Sequence, residues 1–137
     1  MIDCMIIGDS IAVGAHMFRQ ECVLHAKGGI TSHGWAKTFS NIDLKAKTVI
    51  ISLGTNDWEK ADTLGKLKEI RRKIKADQVF WIAPHSDTRN KAHYEVLHVA
   101  DVFEDAVIST DRYQVDKIHP SWAGYKELIQ QTKSKIY

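Results

Sequence analysis

Four short stretches hold the residue types that acyl transfer requires. Gly8-Asp9-Ser10 places a small hydroxyl at the end of the apolar run Ile2 to Ile7, and a helix-compatible segment follows. A side chain there sits at the carboxyl end of a strand, where open α/β sheets place ligands. Its backbone N–H also leaves a helix N-terminus, a setting that favours negative charge. Lys27-Gly28-Gly29-Ile30-Thr31-Ser32 brings flexible backbone. Gly54-Thr55-Asn56-Asp57 brings an amide side chain, and Asp116-Lys117-Ile118-His119-Pro120 a carboxylate and an imidazole three positions apart. An acyl-transfer site needs a nucleophile, a base, a group to orient the base, and oxyanion donors. Ser10 can attack, His119 can take its proton, and Asp116 can hold the imidazole tautomer. The N–H groups of Ser10 and Gly29 and the Asn56 amide can converge on an oxyanion.

Each stretch also has a plainer reading. Ser10 suits a helix N-cap, Asn56 and Asp57 suit a turn after a strand, and His119 and Asp116 suit a surface loop. Gly28 competes with Gly29 for the oxyanion role, and Gly29 is preferred for the Ile-Thr that follows it. What favours chemistry is the joint occurrence of all four stretches at loops.

The elements that must carry these residues read as alternating strands and helices. Strands are expected at Ile2–Ile7, Cys22–Ala26, Lys47–Leu53, Gln78–Ala83 and Ala106–Ser109. The third is a near-continuous apolar run, as parallel sheets bury on both faces. Helices are expected from Ser10 to about Arg19, across His33–Asn41, and through Leu64, Leu67, Ile70 and Ile74, which share one face. Two more run from Lys91 to Val102 and after Pro120 to about Lys135. This alternation implies a parallel sheet in a three-layer α/β/α sandwich. Turn signals at Gly8, Gly28, Gly54 and Pro84 then fall on one sheet edge. No repeat or linker divides the 137 residues, so one domain is expected.

Composition narrows the function classes. A net charge of +2 without a long basic stripe argues against a nucleic-acid partner. No apolar stretch approaches a membrane span and no secretory signal is visible. Cys4 and Cys22, the two cysteines, lie in expected strands outside any CxxC spacing. They read as buried thiols of a reduced compartment. The expected location is therefore the cytoplasm, with carriage in a particle such as a phage virion as the alternative. His16, His25, His33, His85, His93 and His98 show no metal-ligand spacing. Gly8 to Gly14 lacks the pattern of a phosphate loop, which weakens a nucleotide-binding reading. Trp35 reads as core. Trp58, directly after the Asn56 stretch, could at the rim stack on a sugar or line an acyl pocket, or be core in its turn.

With its four motif blocks in order from residue 8 to residue 120, the chain resembles the SGNH hydrolases, the GDSL-type esterases and lipases. The resemblance implies a flavodoxin-like five-stranded parallel sheet of order 2-1-3-4-5 and ester hydrolysis through an acyl-enzyme, without metal or organic cofactor. It implies Ser10 as nucleophile and oxyanion donor, Gly29 and Asn56 as further oxyanion donors, and Asp116 and His119 as the other triad members. Ile11 stands where the family's name-giving Leu often is, and the chain is small for the family, which disfavours a long acyl tunnel. The expected substrate is a short acyl ester, such as an O-acetyl group of a carbohydrate. A non-catalytic module that keeps the fold, or an acyltransferase or thioesterase, is the competing reading. The longest loops, Pro84 to Asn90 and Thr110 to Ile118, are polar and would wall the pocket.

Overall fold

A computed structural model describes residues 1–133. Five strands, β1 (Ile2–Gly8), β2 (Val23–Ala26), β3 (Ala46–Ser52), β4 (Gln78–Ile82) and β5 (Ala106–Ile108), alternate with five helices. The helices are α1 (Ser10–His16), α2 (Ser32–Thr38), α3 (Thr63–Arg72), α4 (Ala92–Val102) and α5 (Trp122–Gln130). All strand pairs are parallel and the order is β2-β1-β3-β4-β5, as the family resemblance implied. Helix α5 ends at Gln130, with Gln131 as its C-cap, short of the expected Lys135, which itself lies outside the described residues.

Alternation along the central strands divides the core. On β1, Met5 and Ile7 face one layer with Trp35, Leu67, Ile70, Val96 and Val99. Cys4 and Ile6 face the other with Ile11, Ala12, Ala15, Leu128 and Ile129. Thus α2, α3 and α4 cover one face, and α1 and α5 the other. Fully buried side chains of this kind contribute roughly 1.5–3 kcal/mol each, so the sheet is a stiff platform for its loops. Trp35 is core, as expected, and its indole N–H donates to the His25 carbonyl.

Helix caps fix where the loops end. Asp9, Thr31, Asp62 and Ser121 each accept a backbone N–H at the start of α1, α2, α3 and α5. Helix α1 stops at His16, short of the expected Arg19. Phe18 N and Arg19 N donate to carbonyls three residues back, and the His16 ring bonds the Cys22 carbonyl at 2.9 Å. That tight turn feeds β2 alongside β1.

The cysteine expectation is corrected. Cys4 and Cys22 form a disulfide, and no free cysteine is present among the described residues. The β1–β2 register pairs Met5 with Val23, so the preceding residues, Cys4 and Cys22, become neighbours with Cα atoms 4.7 Å apart. Both are buried, as read from the sequence. Paired in this way, the cysteines no longer point to a reduced compartment.

Candidate active site

The strand ends after β1, β2 and β3 meet at one edge, and the nucleophile turn shows how tightly. Gly8 has φ +141°, and a Cβ there would lie 1.8 Å from the Ser52 carbonyl oxygen of β3. Only glycine permits both that backbone angle and that approach. Asp9 N then donates to the same carbonyl at 3.0 Å. The Asp9 side chain is fully buried. Its Oδ1 accepts from Ile11 N at 3.0 Å and from the Ser52 hydroxyl at 2.9 Å. Burial pushes the Asp9 carboxyl up to about 6, against the pull of its hydrogen bonds to Ser52 and the backbone. Ser10, the first residue of α1, is thereby held at the sheet edge.

Ser10 Oγ lies 2.9 Å from His119 Nε2, across 109 positions of sequence. His119 Nδ1 lies 2.7 Å from Asp116 Oδ2. Asp116 Oδ1 also accepts from Ile118 N at 2.9 Å and His119 N at 3.0 Å. Those bonds, the Ile118 N–H foremost and then His119, hold the Asp116 carboxyl down to about 2. It stays ionised wherever an imidazole titrates. Lys117 between them has φ +56°, a left-handed angle uncommon for a side-chain-bearing residue. It bends the turn so that both following N–H groups reach one carboxylate oxygen. Gln114 N donates to the His119 carbonyl at 2.8 Å and Gln114 Nε2 to that of Pro120 at 3.0 Å, seating the turn on the preceding loop.

On the opposite flank, Gly29 has φ +74°, and no atom lies within 4 Å of where its Cβ would be. Its glycine is required by the backbone angle and not by space. A Cβ on Gly28 would stand 3.9 Å from Ser10 Cβ, so this loop runs beside the nucleophile. No hydrogen bond engages Ser10 N–H or Gly29 N–H among the described residues. Asn56 is exposed, and its Nδ2 donates to the Ile30 carbonyl at 3.1 Å, joining the β3 turn to the β2–α2 loop. An amide NH₂ carries two hydrogens, so one remains for another acceptor.

Sequence reasoning gave Asp57 no role beyond the turn, yet it anchors this flank. It is buried; Oδ1 accepts from Ser32 N at 2.7 Å, and Oδ2 from the hydroxyls of Ser32 and, at 2.7 Å, Thr63. One carboxylate so ties the Asn56 turn to the starts of α2 and α3. Its place directly after Asn56 was the available signal.

A cleft of about 590 Å³ opens beside Asp116. Thr55, Trp58 and Glu59 from the loop after β3 line it together with Thr88, Arg89 and Ile118 from two later loops. Trp58 is 67 % exposed, so it is a rim residue and not core, with the Lys60 ammonium 5.9 Å from its ring centroid. The loops read as pocket walls from the sequence do line this cleft. No group of three or more potential metal ligands is found among the described residues. The arrangement can do base-assisted nucleophilic attack: a serine hydroxyl, an imidazole to take its proton, an ionised carboxylate behind it, and open N–H donors on the far flank.

No protein-family model matches the sequence, nor does any curated protein. Solved structures do. A Bacteroides ovatus protein assigned as a GDSL-like lipase matches with a TM-score of 0.66 at 12% identity, covering 96% of both chains. The catalytic domain of peptidoglycan O-acetyltransferase A from Streptococcus pneumoniae matches with a TM-score of 0.62 at 20% identity, covering 94% of this chain and 89% of that one. A two-domain esterase active on acetylated mannans matches with a TM-score of 0.57 at 14% identity, over 94% of this chain and 47% of that one. These likenesses show the SGNH-hydrolase fold.

Proposed function

We propose that this chain is a serine ester hydrolase, acting through an acyl-enzyme on short acyl esters, with O-acetyl groups of carbohydrates as the foremost substrate. The carrying observation is the continuous relay from Ser10 Oγ to His119 Nε2, and from Nδ1 to Asp116 Oδ2. His119 withdraws the Ser10 proton as Oγ attacks the ester carbonyl. The oxyanion is received by the N–H groups of Ser10 and Gly29 and by the Asn56 amide. The imidazolium then protonates the departing alcohol, and water attacks the acyl-enzyme by the same route.

Two features support a small acyl group and a sugar alcohol. The cleft is walled by Asp87, Thr88, Arg89, Lys117 and Glu59, with Trp58 and Ile118 its large apolar side chains. The apolar surface exposed there is small in total, enough to reward only a few groups at about 0.8 kcal/mol per buried CH₂. Trp58 at the rim suits stacking on a sugar ring. Two structural neighbours act on acetylated glycans or carry an O-acetyltransferase name, which supports the acetyl preference. Hydrolysis is favoured over transfer because His119 and Asp116 are both substantially open to solvent, leaving water free to compete for the acyl group. The Cys4–Cys22 disulfide supports placing this activity in an oxidising compartment.

The test is a series of p-nitrophenyl esters from acetyl to decanoyl, with acetylated sugars, run on the wild type and Ser10→Ala. Turnover highest for acetyl or butyryl and absent in Ser10→Ala is expected, with one equivalent of a serine-directed phosphonate added at Ser10. Activity surviving in Ser10→Ala refutes the mechanism, and a rate climbing steadily to decanoyl refutes the substrate class.

A further inference from the structure

Asn90 belongs to none of the four motif blocks, yet it makes a dense set of side-chain bonds at the Asn56 turn. The two hydrogens of its Nδ2 are shared among three carbonyls, of Gly54 at 2.9 Å, Thr55 at 3.2 Å and Asp57 at 2.9 Å. Its Oδ1 accepts from Ala92 N at 3.0 Å, fixing which way the amide faces. Within the turn itself there is one backbone bond, Asp57 N to the Gly54 carbonyl at 3.1 Å. The Thr55 and Asp57 carbonyls have no other donor among the described residues.

These bonds complement those of Asp57. The Asp57 carboxylate fastens the end of the turn to α2 and α3, but it holds nothing of Gly54 or Thr55. Asn90 takes hold of the backbone on both sides of Asn56. It also draws three carbonyl oxygens toward itself. A flip of the Thr55 peptide would turn a carbonyl away from that anchor, and a carbonyl facing the oxyanion would oppose the developing charge. Asn90 sits at the end of the loop whose Asp87, Thr88 and Arg89 line the cleft, so one side chain joins the cleft wall to the Asn56 turn.

Resting on the esterase reading above, we infer that Asn90 is a positioning residue for the oxyanion site, holding the Gly54–Asp57 backbone so that the Asn56 amide keeps its aim. A catalytic donor must be held to within about 0.5 Å. One internal turn bond is a weak means of doing so.

The experiment is a double-mutant cycle on p-nitrophenyl acetate, with kcat and KM measured separately and thermal unfolding followed for every variant. Asn90→Ala is expected to lower kcat about 10- to 100-fold, the scale of a small misplacement of a reacting group, with KM within about threefold. Asn90→Asp keeps the size and the acceptor for Ala92 N but loses the donors, so it should lose at least as much. Asn90→Ser, with one short donor, should fall between wild type and Ala, and it replaces Ala in the cycle if Ala does not fold. In an Asn56→Ala background, the Asn90 substitution should cost less than about threefold, because the donor it positions is gone. A full, independent loss in that background overturns the inference, as does an effect confined to KM or one that tracks only the unfolded fraction. Wild-type turnover that Ser10→Ala abolishes, with kcat intact in the Asn90 variants, also overturns this inference and leaves the esterase reading standing. Wild type without any Ser10-dependent turnover overturns both.

Discussion

The Asp116–His119 turn and the Ser10–Asn56 flank are built by opposite means. The turn makes its own geometry: Asp116 bonds Ile118 N, His119 N and the His119 ring, all within four consecutive residues and in contact with solvent. The other flank is assembled by buried bonds across 25 to 43 positions, from Asp57 to Ser32 and from Ser52 to Asp9. A local turn can lose a side chain without disturbing the fold. A buried brace cannot, because its truncation leaves several polar groups unpartnered. The two flanks should therefore separate activity from stability when mutated.

The largest effect expected is on the local side. His119→Ala should lower kcat by on the order of 10⁴ or more, and Asp116→Asn by a comparable factor, with denaturant midpoints close to wild type. A large loss of stability in either variant would break the comparison. On the braced side, Asn56→Ala should lower kcat about 10²–10³-fold with a smaller change in KM. A pure KM effect would make Asn56 a substrate contact instead. Asp57→Ala leaves the Ser32 N–H and the Ser32 and Thr63 hydroxyls without their acceptor. It should cost about 3 kcal/mol in a urea titration.

The Asp9 carboxyl gives a pH test of the same contrast. Its pKa is raised from 3.8 to about 6 in the folded chain, so between those values the native state binds more protons than the unfolded one. Its contribution to stability is thus fully present below about pH 3.8 and is lost as pH rises through 6, a change of up to about 3 kcal/mol. Asp9→Asn should flatten that part of the stability profile while keeping the acceptor for Ile11 N. An unchanged profile would show that Asp9 is not the titrating group. The smallest effect concerns the rim. Trp58→Ala should reduce kcat/KM several-fold more for an acetylated oligosaccharide than for p-nitrophenyl acetate.

The same division explains what was legible in the sequence. Ser10, His119 and Asp116 could be named because each stands in a short block whose spacing carries its chemistry. Strand order followed from the resemblance those blocks supported. Asp57 and Asn90 could not be given their roles, since their partners are supplied by loops from other strands. The cysteines misled for a related reason. Each was placed in a strand, but only the β1–β2 register sets residue 4 against residue 22. Trp35 reads as core from its helical spacing while Trp58 stands open between rim and core, and only the packing of α2 on the sheet, which buries the first and leaves the second exposed, decides between them.

That disulfide has a consequence for the candidate nucleophile. The bond joins positions 18 apart and so closes a covalent ring that contains the whole of α1 and Ser10 itself. In the unfolded oxidised chain the ring still confines the two ends of this segment, removing loop entropy worth about 3 kcal/mol by the polymer model. A backbone cut at the exposed Met17 or Glu21 would open the ring without releasing either piece. A non-reducing digest should therefore deliver a Ser10 adduct attached to both cysteines, as one species that a thiol reductant divides in two.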